Sequence, residues 1–230
     1  MALLLRNGAV FLHIPKTGGS WVRAVCQKQG LAIGQFGHMH ANYEHAARYW
    51  IQYPDHYASL AVRTMNIRPV RIGDAFVFCL VRHPLSWIES WWNYNNRRGW
   101  PRFSQGQSRM RRWHPTAELE RYRPLPDAGF DGFLRFVIDE TPAFVSRMYA
   151  GYAPPHVAFV GKFENIVADV TTALDRAGMR VDRGVLDAIA PVNVSSRRDS
   201  APVWPEDLRR KIVELEAPAL DAYGYDEGPP

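Results

Sequence analysis

The chain has 230 residues, of which 47% are hydrophobic and 22% charged, an ordinary globular balance over a length that supports one sizeable core in one or two domains. Its formal net charge of +5 comes mostly from arginine, so an anionic partner is expected, and arginine suits planar contact with phosphate, sulfate or carboxylate. Two cysteines exclude a disulfide framework, no run approaches the ~18 apolar residues of a membrane span, and no repeat recurs at solenoid periods.

The opening MALLL is too short for a signal-peptide core and runs into Arg6 and Asn7, so a cytoplasmic protein is expected. Ala9 to Ile14 reads as a buried strand. It runs into VFLHIPKTGGSW, residues 10–21, where a Pro, a Lys, a Thr, two glycines and a Ser precede a helix-like segment. A strand, a glycine turn and a helix start present backbone N–H groups and a positive dipole end to an anion. Lys16 adds a point charge, and Thr17 and Ser20 add hydroxyls. The pattern predicts a phosphate or sulfate cradle, with Ser20 capping a helix over about 20–29 that stops near Gly30. Lys16 stands ahead of Gly18 and Gly19, whereas the ATP and GTP loop closes on Gly-Lys-Ser/Thr, so a standard nucleotide triphosphate loop is disfavoured. His13 lies on the strand and is expected to point into the core or the loop backbone.

GHMHANYEH follows, with His38, His40 and His45. Three readings stand beside one another here. A metal site would want a carboxylate or cysteine partner that the stretch does not offer convincingly. A surface loop would carry the histidines incidentally. A general base would exploit a side chain that titrates near working pH. Residues 42–65 look helical but weakly patterned, and Pro54 breaks them.

Ala75 to Val81, AFVFCLV, is the second strong strand. It runs into Arg82-His83-Pro84 and a helix from about Leu85 to Asn95, with Pro84 suited to the first helical turn. Ser86 and Ser90 share one face of that helix. Residues 97–126 carry eight arginines with Trp100 and Trp113 interleaved. This basic insertion reads either as a surface excursion or as a lid over an anionic acceptor. Nucleic acid leaves a similar footprint, but the charge is confined to one insertion without a nucleic-acid motif, so nucleic acid is disfavoured as a partner.

Further on, FDGFLRFVID is amphipathic, Val157 to Val160 is a third strand, and GKFENIVADVTTALDRAG is a helix stopped at Gly178. Val185 to Ile189 is a short helical piece, PVNVSSRRDSAPVW a loop, and 205–223 the last helix, with a frayed tail after Tyr225. Strands alternating with helices predict an α/β fold: a three-layer helix-sheet-helix sandwich around a central parallel sheet, in a single domain spanning 1–230. In such sheets ligands sit at the carboxyl ends of the strands, so PKTGGS and RHP are expected on one edge.

Three stretches resemble the sulfotransferases that use 3′-phosphoadenosine 5′-phosphosulfate (PAPS). HIPKTGGSW is similar to their 5′-phosphosulfate loop. FCLVRHPLSWIES is similar to their 3′-phosphate motif, with Ser90 eight residues after Arg82 and Arg82 itself 66 residues after Lys16. FVGKFENI and the later PVNVSS resemble a strand-to-helix element and a late cofactor-contacting loop. The HIPKTGGS form is closest to the carbohydrate enzymes, such as the heparan sulfate 2-O and 6-O sulfotransferases and their bacterial relatives. The resemblance implies a P-loop-like fold and a role for each matching residue. Lys16 would bind the phosphosulfate and stabilise charge on the bridging oxygen. Thr17, Gly18, Gly19, Ser20 and Trp21 would surround the same group. Arg82 and Ser90 would hold the 3′-phosphate, and Asn193, Ser195 and Arg198 would contact cofactor or acceptor. His83 stands where the family often has Asp or Asn. HMHANYEH resembles the stretch carrying the base of the 6-O enzymes, with His40 matching it and His38 as its rival.

The implied activity is in-line sulfuryl transfer from PAPS to a hydroxyl of a small molecule or saccharide, with no metal expected. Two other functions compete: a kinase-like phosphoryl transferase, which would need a Walker-type lysine, and a non-catalytic binder of polyanions through the basic insertion.

Overall fold

The computed structural model of the chain describes residues 2–36, 40–52, 72–100, 114–125, 127–189 and 202–228. They form an α/β protein in two compact units, Met1–Val81 with Gly151–Asn193 and Arg82–Ala150 with Val194–Pro230. Among the described residues no helix is long and apolar enough to cross a membrane.

The first unit holds a five-stranded sheet in the order β3-β1-β2-β4-β5. Its strands are β1 (Ala2–Leu5), β2 (Val10–Leu12), β3 (Ala32–Phe36), β4 (Val77–Val81) and β5 (Phe159–Lys162). β2 pairs parallel with β4, with Phe11 opposite Phe78, and β4 pairs parallel with β5, with Val81 opposite Lys162. β1 is antiparallel to both β2 and β3. The expected central parallel sheet is met in part: β2, β4 and β5 pair parallel and β3 runs with them, while β1 runs against its neighbours. MALLL, discounted above as a leader, supplies the strand that runs against the rest. Its turn is closed locally. The Asn7 carboxamide oxygen accepts from the Ala9 N–H at 3.0 Å, and Gly8 takes φ 87°. An Asn-Gly pair between apolar runs is the strongest short-range signal for a hairpin.

The central strands are apolar on both faces because both are buried. On one face Leu3, Leu5, Phe11, Phe78 and Leu80 form a core with helices α1 (Gly19–Lys28), α6 (Ile166–Arg176) and α7 (Arg183–Ala188). The alternate residues Leu4, Val10, Leu12, Val77, Cys79 and Val81 are no more than 6% exposed. Cys26 and Cys79 are free thiols in this interior, and burial pushes both up to about 12. Helix α2 (Tyr43–Gln52) follows β3, and Asn42 accepts from the His45 N–H at 2.8 Å at its start.

The second unit is built on α3 (Pro84–Arg98), α4 (Gly129–Glu140), most of α5 (Phe144–Tyr152) and α8 (Glu206–Tyr223). Aromatics fill it: Trp87 stacks on Trp91 at 5.8 Å, and Trp92 stacks on Phe133 at 5.5 Å. Glu216 caps α5 from α8, accepting from the Val145 and Ser146 N–H groups at 2.9 and 2.7 Å and from the Ser146 hydroxyl at 2.6 Å. The tail expected to fray is docked instead. The Asp226 carbonyl accepts from His83 Nε2 at 2.9 Å, and the Glu227 carbonyl accepts from Arg209 at 2.8 Å. Backbone acceptors that find buried or fixed donors hold a terminus that composition alone leaves loose.

Candidate active site at the carboxyl edge of the sheet

β2, β4 and β5 point one way, and β3 shares that direction because, like β2, it opposes β1. The segments that follow these four strands therefore leave the sheet at one edge, where open α/β sheets bind ligands. Pro15 to Ser20 follow β2, His40 follows β3, Arg82 follows β4 and Phe163 follows β5.

Two of the predicted catalytic residues stand out by backbone geometry. Among the described residues only Lys16 (φ 65°), His40 (φ 65°) and Ala143 (φ 53°) are non-glycines at positive φ. The left-handed conformation costs such a residue roughly 1–2 kcal/mol. It persists where surroundings over-determine it, and such positions cluster at active sites.

The turn after β2 is built from inside. The Thr17 side chain is fully buried and donates its hydroxyl to the Ile14 carbonyl at 3.0 Å. That hydroxyl braces the turn from within. Gly18 caps α1 at φ 80° with no side-chain hydrogen bond, so the expected Ser20 cap is corrected: Ser20 is exposed within the first helical turn. A Cβ on Gly18 would lie 2.4 Å from Ile166 Cδ1 and 3.0 Å from Phe163 Cδ2, which seats the turn against the segment that follows β5. With no capping side chain, the N–H groups of Gly19 and Ser20 begin the helix without intrahelical acceptors. Trp21 turns inward, its backbone N–H bonded to the Gly18 carbonyl at 2.9 Å and its indole N–H to the Ile189 carbonyl at 3.1 Å. Both its donors are engaged within the protein, so its part in the turn is to anchor α1.

His13, just ahead of the turn, ties it to His40. A Cβ on Gly19 would come within 1.9 Å of the His13 ring, so only glycine lets this imidazole lie over the helix start. The His13 and His40 rings meet edge to face at 4.6 Å, and His40 Nδ1 lies 3.0 Å from the His13 carbonyl. A carbonyl only accepts, so Nδ1 carries the hydrogen and Nε2 holds the lone pair in neutral His40. The Tyr152 hydroxyl donates to the His40 carbonyl, and burial holds that phenol well above its ordinary range, so it stays a donor. His13 is pushed down to about 3, by burial first and with help from the Arg23 guanidinium, and is neutral across the working range.

The turn after β4 is made differently. His83 is 1% exposed and Nδ1 accepts from the Leu85 N–H at 3.2 Å. This is the work an Asp or Asn cap would do, and Nε2 is protonated because it donates to Asp226. Pro84 opens α3 and has no N–H to offer. Arg82 is fixed through its backbone: the Tyr149 hydroxyl donates to its carbonyl at 2.7 Å and lies 3.1 Å from its N–H. Ser86 and Ser90 are half-buried one turn apart on α3.

His38, Asn193, Ser195, Arg198 and most of the basic insertion lie outside the described residues. Among the described residues no group of three His, Cys, Asp or Glu is gathered as a metal would need. Sequence reasoning did not assign Tyr152, or Lys162, which ends β5 opposite Val81 on the carboxyl edge. Strand register, visible only once β4 and β5 pair, is what puts Lys162 there. No family model, curated protein or solved structure matches this chain.

Proposed function

We propose that the protein is a PAPS-dependent sulfotransferase with a P-loop-like arrangement in a three-layer helix-sheet-helix sandwich, acting on a hydroxyl of a carbohydrate or glycoconjugate. The observation that carries the reading is the pairing of an uncapped helix start beside Lys16 with a histidine held 3.0 Å from the His13 carbonyl through Nδ1. An anionic group and a proton acceptor are what hydroxyl sulfation requires at one place.

The donor fits the residues present. The Gly18 turn leaves N–H groups and the positive end of the α1 dipole open to a phosphosulfate. In the reaction the acceptor oxygen attacks sulfur while the bond from sulfur to the bridging phosphate oxygen breaks. The electron pair leaves with adenosine 3′,5′-bisphosphate, and the acceptor proton passes to His40 Nε2. Lys16 and the helix-start N–H groups stabilise the charge that builds on the leaving oxygen. Arg82 and Ser90 take the 3′-phosphate. As with phosphoryl transfer, most of the protein's contribution is alignment and fixed charge.

The kinase-like reading is weakened by Lys16 standing ahead of the glycines. A thermal-shift titration separates the two. Adenosine 3′,5′-bisphosphate at a hundredfold over its Kd is expected to stabilise the fold by about 2.7 kcal/mol, and ATP with Mg²⁺ to leave it unchanged. No shift at saturating bisphosphate overturns the proposal. Replacing His40 by Ala is expected to lower kcat about 10²- to 10⁴-fold with bisphosphate binding intact. Unaltered turnover would remove His40 as the base.

A further inference from the structure

The amino edge of the sheet, opposite the candidate site, gathers positive charge. β1 runs against β2, so Leu5 hands on to the turn from Arg6 to Ala9 at the edge where β2 begins. α1 starts at the carboxyl edge and brings Lys28 to the amino edge, about 14 Å away. α6 runs the same way and brings Arg176, whose guanidinium lies 5.2 Å from the ring centroid of Phe159 at the start of β5. Hydrogen bonds knit these segments into one corner. The Asn7 carboxamide donates to the Ala177 carbonyl. The Gln29 side chain accepts from the Asp182 N–H at 3.0 Å and donates to the Asp182 carbonyl at 3.4 Å. The Arg6 N–H donates to the Leu31 carbonyl at 2.9 Å, and a Cβ on Gly30 would lie 3.5 Å from the Arg6 guanidinium.

Segments 6–7, 28–31 and 175–184 carry five cations, Arg6, Lys28, Arg176, Arg180 and Arg183, against two acids, Asp175 and Asp182. All five cations are exposed, and among the described residues none of them enters an ion pair. The Asp182 carboxylate is engaged locally, accepting from the Gly184 N–H at 2.8 Å. Complementing a helix dipole accounts for Lys28 and Arg176, which stand in the last turns of α1 and α6. It does not account for Arg6 in the hairpin turn or for Arg180 between helices. Nor does it account for Arg183, which opens α7, where a positive charge is disfavoured.

The make-up of the corner selects its partner. Its three segments contain no aromatic residue, so nucleic-acid bases would find nothing to stack on. The exposed large apolar residues, Leu125, Val167 and Val203, lie outside it, so it lacks the apolar centre of a protein interface. What remains is a spread of exposed cations on turns and helix ends, which suits a plane of anionic headgroups. We infer that this corner docks the protein on an anionic phospholipid surface. Contact there leaves the Pro15 to Ser20 turn, at the far end of α1, in solution. The attachment rests on charge alone, so it is reversible and screened by salt. It stands apart from the sulfotransferase reading and uses none of its residues.

Vesicle flotation of the full chain tests it. The protein is expected to float with phosphatidylcholine vesicles containing about 30% phosphatidylserine and to stay behind with phosphatidylcholine alone. Raising salt from about 0.1 M to about 0.5 M is expected to release it. Arg6→Gln, Arg180→Gln and Arg183→Gln combined are expected to weaken binding about a hundredfold, each charge being worth about fivefold. The matching triple replacement by Lys keeps the charge and is expected to bind like wild type. All three positions are exposed, and an unchanged melting temperature verifies that both variants fold. The basic insertion supplies the counter-test: Arg109→Gln, Arg111→Gln and Arg112→Gln combined are expected to leave most of the binding. The inference is overturned by a wild type that does not float, by equal flotation with uncharged vesicles, or by a Gln variant that binds like wild type. A Lys variant no better than the Gln variant, or an insertion variant that loses as much as the Gln variant, overturns it too. Tighter binding to a duplex oligonucleotide than to the vesicles, lost in the Gln variant, would assign the corner to nucleic acid instead.

Discussion

The turns after β2 and β4 both join a strand to a helix, yet they treat the helix start in opposite ways. After β2 the cap is Gly18, which has no side chain to satisfy the first N–H groups of α1, and the only hydroxyl within the turn, on Thr17, is bonded to Ile14. The N–H groups of Gly19 and Ser20 are left without intrahelical acceptors. After β4 the cap is His83, whose Nδ1 takes the Leu85 N–H, and the first helical residue is a proline with no N–H at all. Here a side chain takes the first available N–H of the helix; Arg82 precedes the cap, and Ser86 and Ser90 follow it along α3. Each turn also contains a largely buried histidine with a different task. The His13 ring packs over Gly19, and its carbonyl fixes the tautomer of His40. His83 caps a helix and holds the tail. A backbone cradle suits a group that gains charge during the reaction, because fixed dipoles need no reorganisation. A side-chain site suits a group that is only gripped.

The contrast can be broken at each turn. Within the two turns the largest effect is expected at Lys16: if the protein transfers sulfate as proposed, Lys16→Ala should lower kcat about 10²- to 10³-fold, measured by transfer of labelled sulfate, and wild-type turnover would mean that the backbone cradle works without its charge. Next comes His13. Its pKa is lowered by burial, so the folded protein binds fewer protons there than the unfolded chain. The stability it contributes is therefore complete above about 6.5 and lost as pH falls toward about 3. The loss should amount to a few kcal/mol, read as urea midpoints against pH, and His13→Phe should flatten that slope. A slope that persists in His13→Phe would assign the proton uptake elsewhere.

Gly18→Ala places a Cβ against Ile166 at φ 80° and should destabilise by about 1–3 kcal/mol. A melting temperature within one degree of wild type, a precision of roughly 0.5 kcal/mol or better for a chain of this size, would show the turn to be loose. Arg82→Gln should leave binding of adenosine 5′-phosphate unchanged and weaken adenosine 3′,5′-bisphosphate by about tenfold, as expected for one hydrogen bond to a charged group. Equal weakening of both nucleotides would move Arg82 away from the 3′-phosphate. The smallest change is His83→Ala, expected to cost about 1 kcal/mol through the lost cap, with turnover per folded molecule close to wild type.

The chemistry-bearing stretches were legible because their local rules are strong. An apolar run bounded by turn signals marks a buried strand, as β2 and β4 are. Proline at a helix start and glycine in a turn mark the two strand-to-helix joints. The Ser20 cap was misread because serine in a first turn and glycine at the cap look alike until φ is known. β1 was missed although Asn7-Gly8 announced it, because four apolar residues at the beginning of a chain carry no periodicity to distinguish them. By itself the sequence determined which residue types bracket the ends of β2 and β4, and that a lysine stands ahead of the glycines. Only the tertiary structure decided that β1 runs against its neighbours, that Thr17 and Trp21 turn inward, and that His13 hands its carbonyl to a histidine 27 residues away. Those outcomes depend on pairing and packing between distant segments, and no local preference encodes which partner a hydrogen bond will find.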